Sequence, residues 1–195
     1  MKMRQMFSSL ACGAVLVAGL AGCSDDSKEP SKGANEAAQT SAATNPAALL
    51  QQGIEQGRAG QGDQAKETFQ KVLSLQADNK FAWFNLGYLA QSRGATDEAL
   101  ADYDKALEID GTYRPALYNK ALLLEGQKPD EAIALYRKIV EADQGASTSY
   151  LRLGLMLDKR NDQNGARQAF TAALAADAKL APSVPEKYRP QKPAR

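Results

Sequence analysis

Histidine is absent from all 195 residues, and cysteine occurs only as Cys12 and Cys23. The first absence removes imidazole as a general base or metal ligand. The second leaves no thiolate cluster and no disulfide framework, so stability has to come from packing. Charge of one sign is lacking too: 24 basic residues stand against 23 acidic ones. A basic surface that would neutralise phosphates is not evident, and no nucleic-acid partner is expected. Gly-rich phosphate loops, nucleophile elbows and metal-ligand spacings are also missing. No cofactor, metal or catalytic residue is expected, and the chain does not read as an enzyme. Scattered acids such as Asp102 and Asp104 read as solvent-facing groups on an exposed helix. The one long apolar run, Leu10 to Leu20, would span about 16 Å as a helix, roughly half a bilayer core.

What is present begins with an address. Lys2 and Arg4 precede the apolar run, the order of a cleavable secretory signal. Leu20-Ala21-Gly22-Cys23 follows, with small residues before the cut and a cysteine after it. These four residues resemble the lipobox of bacterial prolipoproteins; a plain secretory signal with an incidental cysteine is the alternative. The resemblance implies diacylglycerol transfer to the Cys23 sulfur, cleavage after Gly22, and acylation of the new amino terminus by a further chain such as palmitate. Two or more acyl chains, at roughly 0.8 kcal/mol per buried CH₂, make a durable anchor. Ser24 does not match the Asp-type inner-membrane retention signal, so the resemblance allows either the cell membrane or an outer membrane. In both cases the protein would face the periplasm or the exterior.

Residues 24–45 then lack any aromatic, Leu, Ile or Val. Such a segment cannot bury enough apolar surface to offset chain ordering. It is expected to act as a flexible tether with an r.m.s. span of roughly 25 Å.

From residue 46 the chain repeats itself. Ala65, Ala99, Ala132 and Ala166 recur at spacings of 34, 33 and 34, and Phe69, Tyr103, Tyr136 and Phe170 keep the same offsets. Leu153-Gly154 repeats Leu86-Gly87 after 67 residues. The fullest copy carries Trp83, Leu86-Gly87, Ala90, Gly94, Ala99, Tyr103 and Ala106. These columns resemble the tetratricopeptide consensus, a two-helix unit whose faces are buried only by stacking. With the lipobox, they make the chain similar to a bacterial tetratricopeptide-repeat lipoprotein. The expected fold is all-α: a superhelical solenoid of about four helix-turn-helix repeats with a short C-terminal cap. The expected organisation is a signal segment 1–22, a lipidated cysteine and linker 23–45, repeats at about 46–79, 80–113, 114–146 and 147–178, and a Pro-rich basic tail 179–195.

Small residues at position eight (Gly53, Gly87, Ala121, Gly154) are expected to let paired helices approach closely. Repeat one has Gln52 and Gln56 where apolar residues are usual, so its outer helix reads as the polar end a solenoid requires. Repeat three is one residue short in its turn and carries Lys120 at position seven. In the tail, Ser183-Val184-Pro185-Glu186 has capping-box spacing for one short turn through Tyr188. Leu180, Val184 and Tyr188 would then cover the last helix.

The family resemblance implies a ligand groove at positions two, five, six, nine and twelve of each first helix. Repeat one contributes Leu50 and Ile54 there. Further residues are Phe81, Phe84, Asn85, Tyr88 and Gln91 in repeat two and Tyr118, Asn119, Leu122 and Glu125 in repeat three. Repeat four adds Leu151, Arg152, Leu155 and Asp158. Asn85 and Asn119 occupy the position that donates to peptide backbone in the family; consensus packing is the other reading of them. Arg152 is the sole cation among the positions of repeats two to four, so the basic clamp for a C-terminal carboxylate is not matched. Trp83 is expected to face inward. The apolar inner face suggests a binding site for a peptide or helix of another envelope protein. A homodimer that buries the groove on a second copy is the alternative.

Overall fold

Asn45 opens the first helix by accepting a hydrogen bond from the Ala47 amide at 3.0 Å, with Pro46 in the first turn. The computed structural model describes residues 45–190. The expected signal segment, Cys23 and the linker to residue 44 lie outside these residues, as do 191–195. Eight α-helices follow: α1 Pro46–Arg58, α2 Gly62–Leu75, α3 Lys80–Ser92, α4 Thr96–Ile109, α5 Arg114–Leu124, α6 Pro129–Ala142, α7 Ser147–Lys159 and α8 Gln163–Ala176. Two 3-10 turns close the chain, Ala178–Ser183 and Glu186–Tyr188.

Each odd-numbered helix pairs with the even-numbered one after it, and each pair packs on the next. The described residues therefore form the expected all-helical solenoid of four helix hairpins. Its repeating columns form the interior. Ala65, Ala99, Ala132 and Ala166 are wholly buried, as are the rings of Tyr103, Tyr136 and Phe170. Position eight supplies the reason for close approach. A methyl on Gly53, Gly87 or Gly154 would come within 2.6, 2.7 and 2.7 Å of the rings of Phe69, Tyr103 and Phe170.

Gly60, Gly94 and Asn161, the equivalent turn residues of repeats one, two and four, adopt left-handed backbone at φ 76°, 75° and 61°. Repeat three lacks the residue that would take this conformation. Its first helix is 11 residues long rather than 13, and Pro129 restarts the chain as α6. Lys120, anomalous in sequence, reaches Asp104 of the preceding repeat at 2.5 Å.

Several expectations are corrected. Trp83 packs inward against the cores of repeats one and two as expected but is only half-buried, its outer side standing in a shallow cleft with Lys66, Leu73, Glu98 and Asp102, while its indole N–H donates to the Ala77 carbonyl at 2.9 Å. Asp102 is partly buried, not solvent-facing, because it lies in that cleft, whereas the Asp104 side chain keeps nearly half of its surface in solvent. At the C-terminus, Val184 and Tyr188 enter the core as expected, but Leu180 stays half-exposed. The final turn forms at 186–188 without a side-chain cap, so the capping box is not used.

Candidate binding cleft

The first helices of the hairpins place their position-five, six and nine side chains on one face of the stack, and two clefts open there. The larger, about 500 Å³, is lined by Ile54, Arg58, Phe84, Asn85, Tyr88 and Asn119 among others. The second, about 410 Å³, is lined by Phe84, Arg114, Tyr118, Asn119, Thr148 and Ser149 among others. Phe84 and Asn119 wall both clefts, so the two are halves of one furrow running across all four repeats.

Within this furrow the aromatics differ in freedom. Phe84 lies tilted against Tyr103 and edge-on to Tyr113, at 5.8 and 5.5 Å between ring centres. Tyr118 meets Tyr136 edge-on at 5.9 Å. Both are anchored to the interior. Tyr88 is 55% exposed and is the aromatic with most surface to offer.

The polar residues are largely engaged. Asn85 donates from its amide to the Phe81 carbonyl of its own helix at 2.7 Å. Asn119 donates to the Tyr103 hydroxyl at 3.2 Å, which donates to Gln91 at 2.6 Å. Burial pushes the Tyr103 hydroxyl up to about 12, keeping it a donor at neutral pH. Each amide keeps hydrogen-bonding capacity beyond these contacts. Glu125 accepts from the Tyr136 hydroxyl at 2.8 Å and from Arg152 at 3.4 Å. Arg152 is thus held by an acid of its own groove, which sequence position alone cannot reveal. Asp158 is likewise taken, by the Tyr188 hydroxyl and the Lys187 ammonium, each at 2.7 Å.

The remaining expected groove residues fall elsewhere. Phe81 lines a separate cleft with Lys80, Ile109 and Asp110 at the loop edge of the stack, and meets Tyr113 edge-on at 5.7 Å. Leu151 and Leu155 pack half-buried against the core of repeats three and four. Leu122 is half-buried and lines neither half of the furrow. Sequence reasoning missed Arg58, Arg114, Thr148 and Ser149. Arg114 pairs with Asp143. Thr148 sits at position two of its repeat, which was signal enough; Arg58, in the last turn of α1, enters because α1 touches α3 as well as α2. Among the described residues no group of acids or cysteines is arranged to hold a metal ion.

Family models described as tetratricopeptide repeat match residues 81–113 and 121–181. The hairpins from α3 to α8 match tetratricopeptide repeats, and the first hairpin shares their arrangement. Solved structures agree with the tetratricopeptide fold. MamA superimposes with a TM-score of 0.65 at 22% identity, over 75% of this chain and 86% of that one. YrrB, described as a TPR protein with an unusual peptide-binding site, gives 0.66 at 17% identity over 76% and 77%. At such identities these likenesses establish the fold alone. Curated relatives include Protein STIP1 homolog of Dictyostelium discoideum, 36% identical over 48% of this chain and 18% of that protein. Protein O-mannosyl-transferase Tmtc3 of Drosophila melanogaster is 28% identical over 55% of this chain and 12% of its own length. The chain therefore spans less than a fifth of the curated relatives it matches.

Proposed function

We propose that this chain is a non-catalytic adaptor, lipid-anchored at Cys23 on the extracytoplasmic side of a membrane, whose furrow holds an apolar segment of another envelope protein. The observation that carries the reading is Tyr88, more than half exposed at the wall of a cleft of about 500 Å³. An aromatic left open in a concave, mostly preformed site is the kind of anchor that dominates binding energy. The description of YrrB as having a peptide-binding site supports the same use of this fold. The anchoring half rests on the lipobox resemblance, and the transferase relatives share too little of their length to lend a reaction.

The test is Tyr88→Ala in the full chain, with partners recovered from crosslinked cells. Loss of a central anchor worth about 2 kcal/mol should reduce recovery roughly thirtyfold, with the helical circular dichroism unchanged. Undiminished recovery sinks the furrow as the site. If light scattering instead shows a dimer that becomes a monomer in Tyr88→Ala, the occupant is a second copy. Labelling with a fatty-acid analogue, lost in Cys23→Ser, checks the anchor separately.

A further inference from the structure

Four large apolar residues are strongly exposed among the described residues: Leu75, Phe81, Tyr88 and Ile109. Tyr88 belongs to the furrow. The other three are at helix ends. Leu75 ends α2, Ile109 ends α4 and Phe81 lies in the first turn of α3. In a stack of antiparallel hairpins, the second helix of each repeat finishes on the edge where the next first helix starts. All three residues therefore sit along one edge, and Phe81 and Ile109 wall a single cleft there.

Asn45 begins α1 on this same edge. The segment from Cys23 thus joins the folded domain at the edge that bears the exposed apolar side chains. The exposed groups are also confined to the near end of the stack. Leu75 and Ile109 occupy equivalent repeat positions, and the next two equivalents are Ala142 and Ala176; Phe81 is followed in its column by Pro115 and Thr148. Charge at the patch is nearly balanced. Lys80 pairs with Asp110 at 2.5 Å and lies 5.2 Å from the centres of the Phe81 and Tyr113 rings, while Asp78 adds one negative group.

We infer that the Leu75–Phe81–Ile109 edge rests on the surface of the lipid bilayer to which the chain is anchored. This docking depends on the anchoring reading of Cys23. The anchor supplies what a small patch lacks. Three partly inserted side chains bind weakly from solution, but a tether of 22 residues presents them to the membrane at roughly millimolar effective concentration. Because the contact is apolar and its charge nearly balanced, it does not require anionic lipid and depends little on salt. Docking by this edge leaves the furrow, on the face formed by the first helices, open to a partner.

The experiment uses the lipidated chain purified from membranes and reconstituted in phosphatidylcholine vesicles containing a doxyl-labelled phosphatidylcholine. An environment-sensitive fluorophore is attached at Ile109→Cys or, on the opposite edge, at Gln61→Cys. The expected result is at least twofold doxyl quenching and a blue shift at residue 109, little of either at residue 61, and no change in 1 M salt. Adding Leu75→Ser and Phe81→Ser should abolish quenching at 109 while the protein stays on the vesicles with its circular dichroism intact. Equal quenching at the two positions, or none at either, overturns the docking while leaving the anchor standing. A blue shift that grows with protein concentration without doxyl quenching means a protein interface, and also overturns it. A Cys23 found by mass spectrometry to carry no acyl chain removes the anchor and the docking together.

Discussion

At position eight the spacing between paired helices is set by the absence of a single carbon. Alanine is the better helix former by about 1 kcal/mol, yet a methyl on Gly87 would meet the Tyr103 ring at 2.7 Å. That ring is fully buried and hydrogen-bonded to Gln91 and Asn119, so it cannot swing aside. Gly87→Ala is therefore expected to lower stability by about 1–2 kcal/mol net, read from urea midpoints. In repeat three the same column holds Ala121, packed beside Tyr136 with both fully buried, in the hairpin with the shorter first helix. The column was legible as small residues, but which members require glycine depends on ring placement and was not.

Asp102 carries the opposite kind of constraint. Loss of hydration, and then the neighbouring Glu98 charge, push its carboxyl up to about 6 from an ordinary 3.8. Between those values the folded chain holds a proton that the unfolded chain has released. The contribution of this site to stability therefore falls as pH rises through that window, and the penalty is complete above it. Asp102→Asn should raise the thermal midpoint at pH 7, with the gain vanishing below pH 4. An equal gain at both pH values would mean that the charge is not the cause. Sequence treated this acid as solvent-facing because nothing in its spacing shows that the cleft beside Trp83 covers it.

Among elements, the tail caps the last hairpin. In repeats two and three the position-twelve acceptors, Gln91 and Glu125, take the hydroxyls of Tyr103 and Tyr136. Repeat four has Phe170, without a hydroxyl, and Asp158 takes that of Tyr188 instead. Tyr188 stacks on Phe170 at 4.9 Å, Val184 is wholly buried, and Arg189 donates to the Val184 and Pro182 carbonyls at 2.7 and 3.0 Å. Truncation after Ala178 should cost about 3 kcal/mol through the lost apolar burial. Amide exchange should then accelerate around Phe170 and Leu174 while Leu86 keeps its protection. The Lys187 and Tyr188 hydrogen bonds hold the Asp158 carboxyl below its ordinary range. This clasp is present above the ordinary carboxylate pKa and weakens as pH falls through the lowered value. Val184 and Tyr188 were legible as cap residues because little else apolar follows α8. The 3-10 turn across Pro182 was not, since it forms only where the tail meets the helices beneath it.

For the whole molecule, periodicity made the architecture readable and curvature hid much of the site. Alanines and aromatics at spacings of 33 and 34 specify stacked hairpins wherever the superhelix goes. Whether Arg152 reaches Glu125, 27 residues away, or Arg58 leans over α3, depends on the rotation accumulated between repeats. Phe81, Leu151 and Leu155 left the expected furrow for the same reason: a helix position names a face, and the twist decides what that face overlooks.

The two ends of the stack are unequal, and the chain outside it joins the weaker one. α1 turns Gln51, Gln52 and Glu55 outward and packs mainly on α2 and α3, whereas repeats three and four share one core with Val184 and Tyr188. If the chain is anchored at Cys23 as proposed, tension enters the described residues at Asn45 and is met first by α1. Under load the solenoid should shed hairpins in sequence order, beginning with the one that carries Ile54 and Arg58, two walls of the cleft. Under the anchoring proposed at Cys23, mechanical strain would thus reach the furrow before the strapped end gives way, and the first repeat would act as a fuse between the membrane and whatever the protein holds.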